Sequence, residues 1–147
     1  WRALPPDDPV ARQAGRMAPP IHVSFAAGAS VTFRFKGTRL GLIGLKGADN
    51  GEFRVTVDDL PAETGTFFDR HSLPGRHVMK PWFSAHRLAD TEHRVRIELL
   101  GTTIDKAAVM RGVAVEVAGH EAFRPHGLYL CGLLLEGEMV APPAARE

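Results

Sequence analysis

The densest run of chemistry-bearing side chains is FFDRHSLPGRHV, residues 67–78. Asp69, His71 and His77, with His86 beyond, are the ligand types a divalent metal takes. An Asp-x-His pair on a strand also points both side chains to one face. A zinc site, however, needs three or four converging ligands with supporting partners, and this spacing matches no standard zinc pattern. No metal and no cofactor is assigned. The same run carries Ser72, and Ser84 follows it. Either serine with His71, His77 or His86 is the local grouping from which a nucleophile and base could be drawn, since a triad is defined by geometry and not by order. Neither serine sits in G-x-S-x-G, and a polar loop explains both, so no catalytic residue is assigned.

Next comes KPWFSAH, residues 80–86. An aromatic presented beside Arg, His and Asp is how a sugar ring is held: its C–H face packs on the aromatic and charged groups bond its hydroxyls. Asp69, His71, Arg76, His77, Trp82 and Phe83 therefore form the candidate ligand-binding set. The competing role for Trp82 is a plug closing the core.

Asp58 and Asp59 end GEFRVTVDDLP. Adjacent strand positions face opposite ways, so two such carboxylates do not converge on one atom. Asp at a turn start and Pro61 after it read as a turn, with a rim role toward a sugar hydroxyl or calcium as the lesser alternative. GLIGLKG (41–47) has neither a following helix nor Gly-Lys-Ser/Thr, so it is not a phosphate cradle. Its glycines instead mark a bulge or a close backbone approach.

These residues need elements to position them, and the pattern supplies strands. Alternation predicts strands at 21–25, 30–36, 38–45, 52–58, 93–100, 109–117 and 127–137, with a break at Gly37-Thr38. Val31, Phe33 and Phe35 share a face, as do Phe53, Val55 and Val57, and Val95, Ile97 and Leu99. Helix signals are nearly absent. Short strands punctuated by Gly, Pro and Asp predict an all-β chain, an antiparallel β-sandwich or barrel. The segment 59–92, without clear alternation, is long enough for functional loops. Residues 1–20 read as a leading segment or linker packing in part through Trp1 and Leu4, residues 21–137 as the sandwich domain, and 138–147 as a C-terminal tail.

The bulk properties exclude several classes. The 147 residues carry a net charge of +1, so no global field draws the chain to nucleic acid or an anionic membrane. Arg34, Arg54, Arg94 and Arg96 fall on outward faces, but Glu52 and Glu98 share those faces and no aromatics interleave as stacking platforms. No apolar run approaches the roughly 20 residues of a membrane helix. The single cysteine, Cys131, lies in an apolar run and reads as a buried, inert thiol. The start at Trp1, without Met, reads as a piece of a longer protein. The compartment is not fixed, although a periplasmic or secreted setting suits the glycan reading best.

VTFRFKGTRLGLIG, then GEFRVTVDD, then LADTEHRVRIELLG resembles the galactose-binding-like jelly-roll domains found beside SGNH/GDSL-type hydrolases, carbohydrate esterases among them. The resemblance spans about residues 20–137 and implies a jelly-roll sandwich. It also implies a non-catalytic, carbohydrate-binding accessory role, with a saccharide ligand and a catalytic domain in the same parent chain as partners. Asp58-Asp59 replaces the usual Asp-Gly of the hairpin, and Glu92 replaces the Gly before His93. On this pattern His93 is structural, and any nucleophile lies outside these residues. Two alternatives stay open. One is a docking or homodimerisation domain using Trp1 and the apolar C-terminal strand. The other is a self-contained serine esterase using Ser72 or Ser84.

Overall fold

The computed structural model describes residues 1–15 and 20–142. Period-two burial builds its layers. In β4 (Glu52–Val57) Phe53, Val55 and Val57 are buried and Arg54 is exposed. In β7 (Thr91–Leu99) His93, Val95, Ile97 and Leu99 are buried, while Arg94 and Arg96 face water. β1 (Arg2–Ala3), β2 (His22–Ser24), β3 (Ser30–Lys46), β5 (Glu63–Thr66), β6 (Val78–Phe83) and β8 (Leu128–Val140) complete the set. Every ladder between these strands is antiparallel, in the order β1-β2-β8-β3-β7-β4-β5, with β6 also on β3. The chain is the all-β antiparallel sandwich that the alternation predicts.

β3 is the spine. β8 runs along one edge, pairing with residues between 34 and 44. The other edge is shared: β7 pairs with 30–37 and β6 with 41–46. Between them the β6–β7 turn is pinned by the Ser84 N–H to the Leu40 carbonyl and the Leu88 N–H to the Thr38 carbonyl, both at 3.0 Å. The expected break at Gly37-Thr38 is therefore an irregularity inside one strand. There Gly37 meets Gly137 so closely that a Cβ on either would strike the partner's backbone. A second shift, between Ile43 and Gly44, matches the bulge expected of GLIGLKG.

Phe35, Leu40, Leu42, Phe53, Val55, Phe67, Val95, Ile97 and Leu99 form the main core. A second cluster, including Ile21, Val23, Leu45, Tyr129 and Cys131, is covered by Leu4 and by α1 (Pro9–Ala14). Asp8 caps α1 through the Val10 N–H at 2.8 Å, and Pro9 opens its first turn. Leu4 thus packs as expected, while Trp1 remains 40% exposed. Burial pushes the Cys131 thiol up to about 11, as an inert buried sulfur requires.

Three expectations need correction. Residues 109–117 are not a strand. Asp105 caps the short α2 (Lys106–Val109) through the Ala108 N–H, and turns follow through Val115. Val113, Val115 and Val117 alternate because they lean on a third cluster of Ala48, Phe68, Met110 and Phe123, with no partner strand beside them. Second, the segment 59–92 is not all loop, since it contains β5 and β6. β8 also continues to Val140, beyond the expected end at 137. Of the leading segment and tail, residues 16–19 and 143–147 lie outside the described residues.

Candidate ligand-binding site

The loop from Asp69 to His77 leads from β5 into β6, and local chemistry shapes it. The Asp69 carboxylate accepts the His71 N–H at 2.7 Å, and the Ser72 hydroxyl accepts the Asp69 N–H at 2.9 Å. Lys80 of β6 donates to Asp69 at 2.8 Å, with Lys46 of β3 at 3.5 Å. Desolvation raises the Asp69 pKa, but the Lys80 ammonium and the His71 N–H outweigh it and hold the carboxyl below its usual range. The far side of the loop is fixed from α1. Gln13 accepts the His77 N–H at 2.8 Å and donates to the Gly75 carbonyl at 3.1 Å. The leading segment is thus part of what positions this loop.

Beside the loop opens a cleft of about 570 Å3, lined by Lys46, Arg70, His71, Arg76 and the apolar Leu73, Val78 and Val113. Four basic side chains and an apolar wall make a surface able to hold a polar ring. Of the six residues expected to touch ligand, His71 and Arg76 line this cleft and Asp69 stands behind Lys46. The other three are elsewhere. Trp82 and Phe83 are in a strand and not in a loop, so they face opposite ways. Trp82 turns inward, edge-on to Phe53 at 5.5 Å, and is the core plug. Phe83 is 64% exposed and lies over Gly41, where an added Cβ would come within 2.7 Å of its ring. His77 points into the interior.

There His77 joins a buried network. A carboxylate only accepts, so His77 Nε2 donates to Asp49 at 2.9 Å, and the Tyr129 hydroxyl donates to the other Asp49 oxygen at 2.6 Å. Desolvation opposes the Asp49 charge, but these two bonds overcome it and lower its pKa. Burial and the same Asp49 bond drive the Tyr129 hydroxyl far above its ordinary value. His77 Nδ1 and Asn50 Nδ2 are buried without a partner among the described residues.

The residues missed from the sequence are Lys46, Arg70, Lys80 and Gln13. Lys46 and Lys80 meet only because Gly44 is opposite Lys80 and Lys46 opposite Val78, a diagonal that requires the β3–β6 pairing to be known. Gln13 is isolated in sequence from everything it holds.

The serines are not arranged for nucleophilic attack. Ser72 is buried, and the Ser84 hydroxyl donates to Glu63 at 2.5 Å. His86 meets the Pro61 carbonyl at 2.9 Å. Among the described residues no serine hydroxyl bonds a histidine ring.

Asp58, the first of the aspartate pair, sits in the turn at φ 48°, and its carboxylate ties that turn to β7. It accepts the Arg94 N–H at 2.8 Å and the His93 Nδ1–H at 2.7 Å. His93 Nε2 faces the Ala89 carbonyl at 2.7 Å. Both ring nitrogens therefore meet acceptors, which only the imidazolium can satisfy. Desolvation disfavours that charge, but Asp58 and the Ala89 carbonyl overcome it and raise the His93 pKa. At Asp58 the Arg94 N–H and His93 likewise outweigh desolvation and lower the carboxyl's. The raised histidine stabilises the fold below its ordinary value of 6.5, and this is lost as pH rises through its folded value. The lowered carboxyl stabilises above its ordinary 3.8, and this is lost as pH falls through its folded value. Asp58→Ala is thus expected to cost about 1–2 kcal/mol, most between those two values. Urea melts of both proteins from pH 3 to 9, on the order of one per pH unit, check this. A pH-independent difference would remove the ion pair from the account.

No protein-family profile matches the chain, and no curated protein sequence matches it. Its fold is similar to that of solved carbohydrate esterases. A family two carbohydrate esterase from Clostridium thermocellum, in complex with cellohexaose, is 16% identical with a TM-score of 0.50, the match covering 88% of this chain and 30% of that one. A family two carbohydrate esterase from Cellvibrio japonicus is 18% identical with a TM-score of 0.49, over 84% of this chain and 29% of that one. A two-domain esterase active on acetylated mannans, co-crystallised with mannopentaose, is 14% identical with a TM-score of 0.49, over 82% and 28%. The chain spans about three tenths of the length of these proteins.

Proposed function

We propose that the chain is a non-catalytic, carbohydrate-binding β-sandwich domain of a larger glycan-active protein of the SGNH/GDSL hydrolase type. The observation that carries this reading is the open cleft beside residues 69–77, where His71, Arg70, Arg76 and Lys46 stand over an apolar wall. Donors for hydroxyls beside an apolar surface for a ring's C–H face are what saccharide recognition needs. The likeness of fold to the C. thermocellum esterase supports the setting. The engaged Ser72 and Ser84 hydroxyls support a non-catalytic role for this segment.

A second reading rests on a different surface. Trp1, Val31, Phe33, Leu133 and Met139 line an apolar groove across β3 and β8, and Val31, Trp1 and Met139 are 38%, 40% and 52% exposed. Such a strip suits a docking or dimer interface. One experiment separates the two. The chain is titrated calorimetrically against a panel of oligosaccharides, with light scattering on the same sample. We expect a monomer that binds at least one saccharide, with affinity falling on Arg76→Ala. A folded chain that dimerises tightly and is silent across the panel would replace binding with docking.

A further inference from the structure

Granting that the cleft binds saccharide, we propose that its ligand is acidic: an oligosaccharide bearing carboxylates, of the uronic-acid class. Arg70, Arg76, Lys46 and His71 line the cleft without a carboxylate among the lining residues. Asp69, the acid behind them, is already shared between Lys80 at 2.8 Å and Lys46 at 3.5 Å. Arg70 and Arg76 are exposed, and neither side chain makes a hydrogen bond or ion pair among the described residues. The cleft thus carries a local excess of positive charge in a chain whose net charge is +1.

Three arginines on the sheet strands have acidic partners. Arg34 bonds Glu92 at 2.8 Å, Arg39 approaches Glu136 at 3.5 Å and Arg96 approaches Glu98 at 3.8 Å. Arg54 and Arg94 on the sheet strands also lack a side-chain partner among the described residues, so what sets the cleft apart is that Arg70 and Arg76 stand together there with Lys46 and no lining carboxylate. A guanidinium fork fits a carboxylate through two parallel hydrogen bonds, whereas a neutral hydroxyl uses neither the charge nor the fork fully. Leu73, Val78 and Val113 supply the apolar wall against which a sugar ring rests, which a bare anion does not need.

Calorimetric titration of the whole chain tests this with four probes: trigalacturonic acid, its methyl ester, mannopentaose and sodium sulfate. The acid is expected to bind at least about tenfold more tightly than the ester, which keeps the rings and removes the charges. Its affinity should fall with added salt. Arg70→Ala with Arg76→Ala should lose about the same tenfold, while Arg34→Ala on the distant sheet face changes nothing. Equal binding of acid, ester and mannopentaose overturns the inference and leaves the saccharide reading standing. Sulfate binding as tightly as the trisaccharide overturns it too, marking a plain anion site. Silence to every sugar in a folded chain overturns both readings.

Discussion

Gly44→Ala is expected to destabilise the fold by about 1–3 kcal/mol or more, although it adds a single methyl. Gly44 lies in the middle of β3, where the Phe67 ring rests directly on its Cα. A Cβ there would fall inside the ring's van der Waals envelope. The ring has nowhere to go. Phe67 is fully buried, tilted against the Phe53 ring at 5.1 Å, and Phe53 is itself fully buried and closed off by Trp82 at 5.5 Å. Phe67→Ala alone should cost about 3–5 kcal/mol by opening a cavity. The two changes are therefore strongly coupled: with the ring gone, the Gly44 methyl enters space that the ring has vacated. In the Phe67→Ala background, Gly44→Ala should be near neutral. A double-mutant cycle by urea denaturation measures the coupling. Additive penalties would mean that the glycine serves β3 for some reason other than the ring.

The same residues show what a sequence can and cannot carry. Phe53, Val55, Val57, Val95, Ile97 and Leu99 announce their buried face because period two is a property of one strand by itself. The sandwich follows from that. The cleft beside residues 69–77 does not, because it depends on which strands meet. Placing Lys46 and Lys80 around Asp69 requires β6 to be paired with β3, yet β6 reads VMKPWF, with Pro81 interrupting and no clean alternation. The same lack of alternation places Trp82 and Phe83 in one loop, whereas the strand sends one into the core and the other to water. The valines of 109–117 err in the opposite direction. They alternate in burial against Met110 and Phe123 with no ladder to join, so periodicity reports the face and not the partner.

Lys106→Met should cost on the order of 3–5 kcal/mol, because this lysine serves three backbone groups at once. Its ammonium donates to the carbonyls of Ala48 at 2.7 Å, Phe123 at 3.0 Å and Pro125 at 2.7 Å, and lies 5.2 Å from the centre of the Phe68 ring. Methionine keeps the volume and leaves those carbonyls without their donor. Burial pulls the Lys106 pKa from 10.5 down to about 8, against the attraction of Asp49. His126 agrees with a charged neighbour. Desolvation and Lys106 lower its pKa, and its ring donates from Nδ1 to the Arg124 carbonyl and accepts the Ile104 N–H at Nε2, as a neutral imidazole does. Between about 8 and 10.5 the unfolded chain holds a proton that the folded chain has released, so this group makes stability rise with pH across that window. The penalty of Lys106→Met should therefore widen as pH rises through it, which denaturation at several pH values measures. A loss under about 1 kcal/mol, or one flat with pH, would show that other groups hold residues 101–127 in place. The effect should also reach the cleft. Ala48 adjoins Asp49, the acceptor for His77, and Phe68 adjoins Asp69, which Lys46 and Lys80 flank. Amide exchange should quicken first between 104 and 126 and then in the 69–77 loop. On the proposed reading, saccharide affinity should weaken although Lys106 does not line the cleft.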